Sequence, residues 1–341
     1  MLNDIVENNL ISRIASCYKR SPLQVNKIHE SDSEIIKISK DIYLAITTDS
    51  ISEEIETKLY DDPWLIGWMI VTVNMSDIAA VGAKPLGLVI SQIIPDKTDE
   101  VLIKRISEGI SDACEEYKTY VLGGDLNSGN QLILTGTATG IIENGNVLTR
   151  CGIKEGDTLF LSGKAGLGNA YALNKFSGAQ ALTINYKPKA RIKEGSLLRG
   201  YATACMDTSD GVISTIDQLS RINNSGFALN EIESLLDPEA LKVSEYYNFP
   251  LWLFLAGQHG EFELIFSIPK EKTGEFKQKA EEINWFPLEL ATATNTNIIT
   301  LPLYNKTAEL DTCYIRNLFN LVNGDKSLYI EKLLQLDRQL R

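Results

Sequence analysis

The sequence is poor in histidine and cysteine, the residues that most often bind transition metals in proteins. Its 341 residues include 2 histidines and 5 cysteines, and the cysteines are scattered without a C-x-x-C pair. A zinc knuckle, a dithiol redox centre and a histidine-rich metal site are therefore disfavoured. The cysteines are most simply explained as buried free thiols.

Long apolar runs and an excess of positive charge are also missing. No stretch reaches the roughly 18 apolar residues of a membrane-spanning helix, and the first residues, MLNDIVENNL, resemble no secretory leader. We therefore expect a cytoplasmic protein. The 33 Lys+Arg against 45 Asp+Glu, a formal charge of −12, disfavour nucleic acid or an anionic membrane as a partner.

Familiar phosphate-binding and catalytic signatures are absent as well. The sequence has no Walker A loop, no G-x-S-x-G and no kinase HRD/DFG set, so any phosphoryl chemistry must use another scaffold. One glycine-rich turn, SGKAGLGNA, precedes a predicted helix. Such a turn suits an anion at the helix N-terminus.

Hydrophobic periodicity divides the chain into two α/β halves. In the first half, EIIKIS, IYLAITTDS, LGLVISQIIP, TYVLGG and QLILTGTATGII predict strands, and TDEVLIKRISEGISDACEEY predicts a helix. The long segment DDPWLIGWMIVTVNMSDIAAVGA predicts another helix, which Asp62 caps and Pro63 begins. The first half ends near residue 148.

In the second half, GDTLFLSG and FELIFSIP predict strands, and helices are expected near 167–177, at 189–204, from about 212 and in KTGEFKQKAEEI. Residues 1–25 are expected to form an arm or a short helix. The Leu/Ile seam of DKSLYIEKLLQLDRQL predicts a final helix that packs on the body or on a partner.

Acidic residues recur beside Gly, Ser or Thr at the predicted junctions between strands and helices. Each one alone is explained as a helix cap or a turn residue. Asp77 is different, because it lies inside the small and apolar run NMSDIAAVGA, with Asn74 one turn before it. A partly buried carboxylate needs a cation or hydrogen-bond donors, and Mg²⁺ prefers such oxygen ligands. The acidic set comprises Asp32, Asp49, Asp77, Asp125, Asp207 and Asp210.

The ordered motifs resemble the thiamine-monophosphate kinase family, in the superfamily of aminoimidazole ribonucleotide synthetase, selenophosphate synthetase and a hydrogenase maturation factor. The resemblance covers roughly residues 28–270 and rests on TTDS, DDPWLIGWMIVTVNMSDIAAVGAKP, VLGGD, LTRCGIKEGD and MDTSDG. It implies a two-domain α+β fold of the PurM-like type. Residues 1–148 would bind Mg-ATP, and their sheet would pair across a homodimer in a barrel-like arrangement. Residues 149–323 would form an α+β C-terminal domain, and 324–341 a helical tail.

The resemblance also implies Mg²⁺ and ATP as cofactors and a small phosphorylated acceptor, thiamine monophosphate in the family. Positions matching family nucleotide contacts are Tyr117, Gly124, Asp125, Arg150 and Ser209. Positions matching family magnesium ligands are Asp32, Thr47, Thr48, Asp49, Asp77, Asp125, Asp207 and Asp210. Without the resemblance, Tyr117 is better explained by helix packing, and Arg150 equally well as a surface charge. No general base is identified.

The departures from the family pattern fall mostly on the acceptor side. Glu56 stands where the family has a histidine, and QHGEFEL replaces Gly-Gly-Glu-Asp-Tyr-Glu-Leu. Glu56 and Glu261 are therefore the candidate substrate residues, and His259 with Glu261 forms either an altered acceptor pocket or an ordinary strand entry. Two alternatives stay open: another ATP-using enzyme of the superfamily with a different acceptor, and a nucleotide-binding pathway partner without turnover.

Overall fold

A computed structural model describes residues 1–143, 145–177 and 181–341. The chain begins with a 3₁₀ turn, Leu2–Asp4, and helix α1, Val6–Ala15. The first sheet consists of β1 (Glu34–Lys37), β2 (Ile42–Ser50), β3 (Lys84–Ile94), β4 (Val121–Ser128) and β5 (Ile133–Glu143). Its order is β1-β2-β5-β3-β4, and every pair is antiparallel except β3 with β4. The alternation in IYLAITTDS predicted β2 correctly.

Three helices accompany this sheet. They are α2 (Ser52–Glu56), α3 (Pro63–Ala80) and α4 (Glu100–Tyr117). The Asp62 carboxylate caps α3 by accepting a hydrogen bond from the Trp64 backbone nitrogen at 3.0 Å, as its position before Pro63 predicts. Helix α3 is apolar around most of its circumference, because one side packs on the first sheet and the other faces the second half of the chain.

The second sheet has seven strands, and its order is β12-β11-β8-β10-β6-β9-β7. The strands are β6 (Thr158–Leu161), β7 (Ala204–Asp207), β8 (Gly226–Leu229), β9 (Leu264–Ile268), β10 (Leu288–Thr294), β11 (Ile299–Leu303) and β12 (Lys306–Glu309). The helices of this half are α5 (Leu167–Phe176), α6 (Ile192–Leu198), α7 (Val212–Asn223), α8 (Pro238–Tyr247), α9 (Leu253–Ala256), α10 (Thr273–Glu282), α11 (Thr312–Leu321) and α12 (Lys326–Leu340). Two sheets with helices confirm the α+β prediction.

The predicted helix at 189–204 was wrong in its extent. Helix α6 ends at Leu198, and Ala204–Asp207 is strand β7, which pairs with β9. All four residues of β7 are buried. A strand buried on both faces lacks the alternation that separates strand from helix in a sequence.

The two ends of the chain pack against the second half. The Asn8 side-chain nitrogen on α1 donates to the Gln218 side-chain oxygen on α7 at 2.8 Å. On α12, Leu333 is buried, and Asp337 accepts a hydrogen bond from the Trp252 indole at 2.8 Å. The final helix therefore packs on the body, the first of its two predicted placements. The strands of the first sheet lie before residue 148, and those of the second sheet lie after it. The domain limits themselves remain a prediction.

Strand β4 is an open edge of the first sheet. All eight of its residues are exposed, and they include Leu122 and Leu126 at 62% and 69% exposure. Within the described ranges, one chain forms an open sheet rather than a closed barrel. The barrel-like pairing across a homodimer therefore stays a prediction. In the same ranges, no helix combines the length and the apolar character that a bilayer crossing requires.

Candidate functional site

Three carboxylates from distant parts of the sequence meet where the two halves of the chain face each other. Asp32 precedes β1, Asp77 lies in the last turn of α3, and Asp207 ends β7. One oxygen from each lies within 4.8 Å of the others. These three residues are called the carboxylate cluster below. They belong to the acidic set recognised in the sequence, and α3 brings them together because it packs on both sheets.

The carboxylate cluster concentrates negative charge that a bound cation would stabilise. Burial raises the pKa of Asp77 well above its usual range, and the charges of Asp49 and Asp207 raise it further. Burial, followed by the charge of Asp32, raises the pKa of Asp207 to about 7. Hydroxyl groups supply part of the stabilisation: Thr47 donates to Asp77, and Ser76 donates to Asp207 at 2.6 Å.

The donor set fits Mg²⁺. Carboxylate oxygens at close range are the hard ligands this ion prefers, and a bound cation would offset their mutual repulsion. The hydroxyls of Ser31 and Ser33, which flank Asp32, are also buried without a hydrogen-bond partner among the described residues. Such orphaned oxygens are unusual in a folded protein, and a bound ion with its water shell could satisfy them.

Strand β2 adds Asp49 to this site and directs Thr48 away from it. Alternate residues of a strand share a face, so Thr47 and Asp49 both face α3. Asp49 interacts with Asp77, and burial raises its pKa. The Thr48 hydroxyl instead donates to the Gly136 carbonyl on β5 at 2.8 Å. The structure thus brings Asp49 to the carboxylate cluster and leaves Thr48 outside it.

Arg150 lies beside the carboxylate cluster and is paired with one of its members. Its guanidinium contacts the two oxygens of Asp32 at 3.0 and 3.4 Å and donates to the His29 carbonyl at 3.4 Å. The Asp32 side chain is 1% exposed. Arg150 is therefore an ordered positive charge at the site and is not a free surface residue.

Asp210 and Ser209 lie in the turn between β7 and α7. The Ser209 hydroxyl donates to Asp207 at 3.0 Å, so it supports the carboxylate cluster. Asp210 is exposed to a neighbouring cavity of about 560 Å³, and the surrounding atoms raise its pKa to about 6 by desolvation. Asp210 also lies close enough to Asp49 for its charge to raise the pKa of that carboxyl. Asp210 therefore lines the cavity from the same turn that follows Asp207 of the carboxylate cluster.

Gly124 and Asp125 lie elsewhere, on the edge strand β4. Register places Asp49, Gly136, Ile90 and Gly124 in one row across the sheet, so β4 is three strands from β2, about 14 Å. Asp125 is exposed and accepts a hydrogen bond from Asn127. Within one chain, these two positions are not brought to the carboxylate cluster.

Tyr117 is buried at the end of α4. Its hydroxyl lies 2.9 Å from the Thr72 hydroxyl and accepts a hydrogen bond from the Ala190 backbone nitrogen at 3.2 Å. These contacts join α3, α4 and the segment before α6. The geometry agrees with the helix-packing explanation, and a nucleotide contact for Tyr117 remains a prediction.

The two candidate substrate residues occupy different environments. Glu56 is exposed at the end of α2 and does not line the cavity. Glu261 is 4% exposed and accepts hydrogen bonds from the Gly166 backbone nitrogen at 2.8 Å and from the Thr208 hydroxyl at 3.2 Å. The glycine-rich turn before α5 therefore binds a side chain of the chain itself, the carboxyl group of Glu261.

The cavity that Asp210 enters is built largely from parts of the sequence outside the recognised motifs. Apolar side chains from α1, α5 and α12 form much of its wall, and His259 reaches it from the strand entry before β9. Burial lowers the pKa of His259 to about 4, so the ring is neutral at pH 7. Sequence reasoning missed Arg316 on α11 and Lys326 on α12, which also line this cavity. The Leu/Ile seam of α12 predicted its packing but not the cavity beneath it.

Comparisons with known proteins agree with the fold and the motifs. Residues 30–142 match the family model "AIR synthase related protein, N-terminal domain". A curated relative, the thiamine-monophosphate kinase of Buchnera aphidicola subsp. Schizaphis graminum, is 34% identical over 278 residues, which are 78% of this chain and 84% of that protein.

Solved structures share the fold at lower identity. "AaThiL complexed with AMPPCP and TMP" superposes with a TM-score of 0.74 at 23% identity, over 89% of this chain and 96% of that one. The hydrogenase maturation protein HypE of E. coli gives a TM-score of 0.67 at 17% identity, over 90% and 98% of the two chains. The fold alone therefore does not separate these activities, whereas the sequence relationship does. The chain belongs to the thiamine-monophosphate kinase family of ATP-dependent kinases.

Proposed function

We propose that this kinase transfers the terminal phosphoryl group of ATP to thiamine monophosphate in a magnesium-dependent reaction, giving thiamine diphosphate and ADP. The observation that carries the proposal is the position of Asp210, which follows Asp207 of the carboxylate cluster by three residues in the β7–α7 turn and lines the cavity of about 560 Å³. A metal-bound triphosphate and an organic acceptor would meet at that residue. The relative solved with AMPPCP and TMP and the curated kinase relatives support both ligands.

The chemistry requires no covalent intermediate on the protein. An oxygen of the acceptor phosphate forms a bond to the γ-phosphorus while the bond from that phosphorus to the β,γ-bridging oxygen breaks, and ADP leaves with the electron pair. A phosphate monoester has a second pKa of about 6, so the nucleophile is already largely ionised at neutral pH. The acceptor therefore needs little or no deprotonation by a general base.

The residues of the site would act by binding and orientation. Asp32, Asp77 and Asp207 would hold Mg²⁺, with Asp49 and Asp210 beside them. When bound, Mg²⁺ would neutralise charge on the triphosphate and on the transferring group. Arg150 would add a fixed positive charge. The apolar wall of the cavity would exclude water from the acceptor, which limits hydrolysis of ATP.

Calorimetric titration of ATP with and without Mg²⁺, followed by an ADP-release assay with thiamine monophosphate, tests the proposal. We expect ATP binding that depends on Mg²⁺ and ADP release that depends on the acceptor. Tight Mg-ATP binding without ADP release on any of a panel of phosphate monoesters would favour the nucleotide-binding partner. Release with a different monoester would favour another acceptor. Failure to bind Mg-ATP would contradict all three functions.

A further inference from the structure

Arg316 is a buried cation that the sequence motifs do not include. It lies on α11, and its side chain is 6% exposed. One terminal nitrogen, Nη1, donates to the Asp217 carboxylate at 3.1 Å and to the Gln218 side-chain oxygen at 2.7 Å. Both acceptors belong to α7, the helix that begins two residues after Asp210. The guanidinium is therefore held at a fixed distance from the Asp210 turn.

The other donors of Arg316 remain available to a ligand. Nη2 lies 3.8 Å from the Glu7 carboxylate, which is beyond hydrogen-bond distance, and the Glu7 side chain is 59% exposed. Among the described residues, neither Nε nor Nη2 has a hydrogen-bond acceptor within reach. Arg316 lines the same cavity as Asp210. Because a buried guanidinium normally satisfies most of its donors, this arrangement indicates a site for an anion.

The other cation of the cavity wall is differently placed. The Lys326 ammonium lies 3.7 Å from the centre of the Phe176 ring, so an aromatic face already contacts its charge. The remaining charged groups of the wall are carboxylates: Glu7, Glu53, Glu54 and Asp210. Arg316 is therefore the group in this wall best suited to a phosphate, because the Nε and Nη2 edge of a guanidinium can bind two phosphate oxygens at once.

We infer that Arg316 binds the phosphate of the acceptor through Nε and Nη2 and holds it at the Asp210 end of the cavity. The inference rests on the proposed function, because it assumes that this cavity receives a phosphorylated acceptor. It assigns to α11 a specificity-determining residue. Unphosphorylated thiamine would fill the apolar part of the cavity but would lack the group that Arg316 recognises.

A purely structural role for Arg316 makes different predictions, and Thr312 offers the matched control. The Thr312 hydroxyl donates to the same Asp217 carboxylate at 2.6 Å, and Thr312 does not line the cavity. Thr312→Val therefore perturbs the buried network from α11 without removing a donor from the ligand site. If Arg316 only connects α11 to α7, Thr312→Val and a substitution of Arg316 by glutamine should have the same effect on ligand binding.

The test measures the binding of thiamine monophosphate, thiamine and Mg-ATP by calorimetry. For Arg316→Gln we expect the affinity for thiamine monophosphate to fall about 10- to 100-fold, the usual effect of losing a charge-assisted hydrogen-bond pair. Binding of thiamine and of Mg-ATP should stay within about twofold of wild type, and Thr312→Val should bind all three normally. Glu7→Gln, an exposed change that removes a competing carboxylate, should raise the affinity for thiamine monophosphate alone.

The outcomes separate this inference from the proposed function. Normal binding of thiamine monophosphate by Arg316→Gln would overturn the role of Arg316 and leave the function standing. Equal losses for thiamine and thiamine monophosphate, or equal losses in Thr312→Val, would also overturn it. If the wild-type protein does not bind thiamine monophosphate but binds another phosphate monoester, and Arg316→Gln weakens that binding, the proposed function fails and the inference stands. Should Arg316→Gln not fold, the Glu7→Gln result decides, and unchanged affinities there contradict the inference.

Discussion

Asp77 shows how one residue can be both a stability cost and a functional requirement. It occupies the last turn of an apolar helix, close to Asp32 and Asp207, and the Thr47 hydroxyl and the nearby Arg150 guanidinium moderate the repulsion. A sequence retains such an arrangement when a ligand supplies the missing positive charge. Its apolar surroundings in the sequence were the signal that separated it from ordinary capping residues.

Replacing Asp77 by Asn should therefore have opposite effects on stability and activity. Removing one buried negative charge should raise the melting temperature of the metal-free protein, whereas losing a predicted magnesium ligand should lower Mg-ATP turnover at least about 100-fold. Thermal unfolding and ADP release measure the two effects. Asp41→Asn, the same change at an exposed position between β1 and β2, is the control. Unchanged turnover in Asp77→Asn would remove this residue from the metal site.

The raised carboxyl pKa values predict a pH-dependent stability, of which Mg²⁺ should reverse the part that comes from the carboxylate cluster. Asp207 has a pKa of about 7 against an ordinary 3.8, and Glu261 about 8 against 4.5. Between the ordinary and the raised pKa the folded state binds more protons than the unfolded state, so stability falls with rising pH up to about pH 7 for Asp207 and about pH 8 for Glu261. His259, with a pKa of about 4 against 6.5, has the opposite slope, but only below about pH 6.5.

Between pH 6.5 and 8 the metal-free protein should thus lose stability, and saturating Mg²⁺ should raise its melting temperature more at pH 8 than at pH 5.5. Mg²⁺ binds the ionised carboxylates, so its affinity falls as they become protonated. Differential scanning fluorimetry at the two pH values checks this. An equal shift at both, or none, would contradict a metal site at the carboxylate cluster.

At the scale of elements, the crossing of α3 and α4 depends on two glycines. A Cβ atom on Gly67 would lie 1.9 Å from the Ile106 carbonyl oxygen, and one on Gly109 would lie 2.0 Å from the Trp64 carbonyl oxygen. Each helix thus presents bare backbone to the other. This close approach fixes α3, and with it the carboxylate of Asp77.

Gly109→Ala should consequently destabilise the protein by about 1–3 kcal/mol, because the helices must separate to admit the methyl group. Alanine is favoured over glycine by about 1 kcal/mol in a helix interior, so helix propensity alone predicts the opposite sign. Gly274→Ala on α10, where an added Cβ meets no atom within 4 Å, is the control and should be neutral or stabilising. Urea unfolding distinguishes them. A stabilised Gly109→Ala would refute the close crossing.

Local sequence patterns predicted the helices and strands whose residues show a clear periodicity or cap. They did not predict features that depend on contacts between residues far apart in the sequence. Alternation predicted β2, and the Asp62-Pro63 start predicted α3. The acidic junctions predicted three residues that do meet in space. Long-range contacts are the part that local sequence does not contain: Glu261, whose substrate role remains a prediction, contacts the Gly166 turn 95 positions away. No local pattern reveals that contact, nor that α11 and α12 enclose the cavity.

For the whole molecule, the open edge at β4 predicts self-association. A strand with every residue exposed and unpaired backbone groups along one side is rarely left uncovered. Leu126→Glu should place a charge in any interface formed there and shift the protein to a monomer in sedimentation analysis. Leu321→Glu, at 61% exposure on α11, should leave the assembly unchanged. A monomeric wild type would exclude the predicted homodimer.

Asp125 lies on that same open strand, in the row of Ser50 and three strands, about 14 Å, from it. Suppose that a second copy covers β4 and that Asp125 contributes to turnover, as its match to the family motif implies. Catalysis then requires the dimer of two chains. On dilution below the dissociation constant of that pair, the initial rate at saturating substrate would fall with the square of the total protein concentration. A plot of rate against enzyme concentration would therefore curve upward from the origin, before any mutation is made.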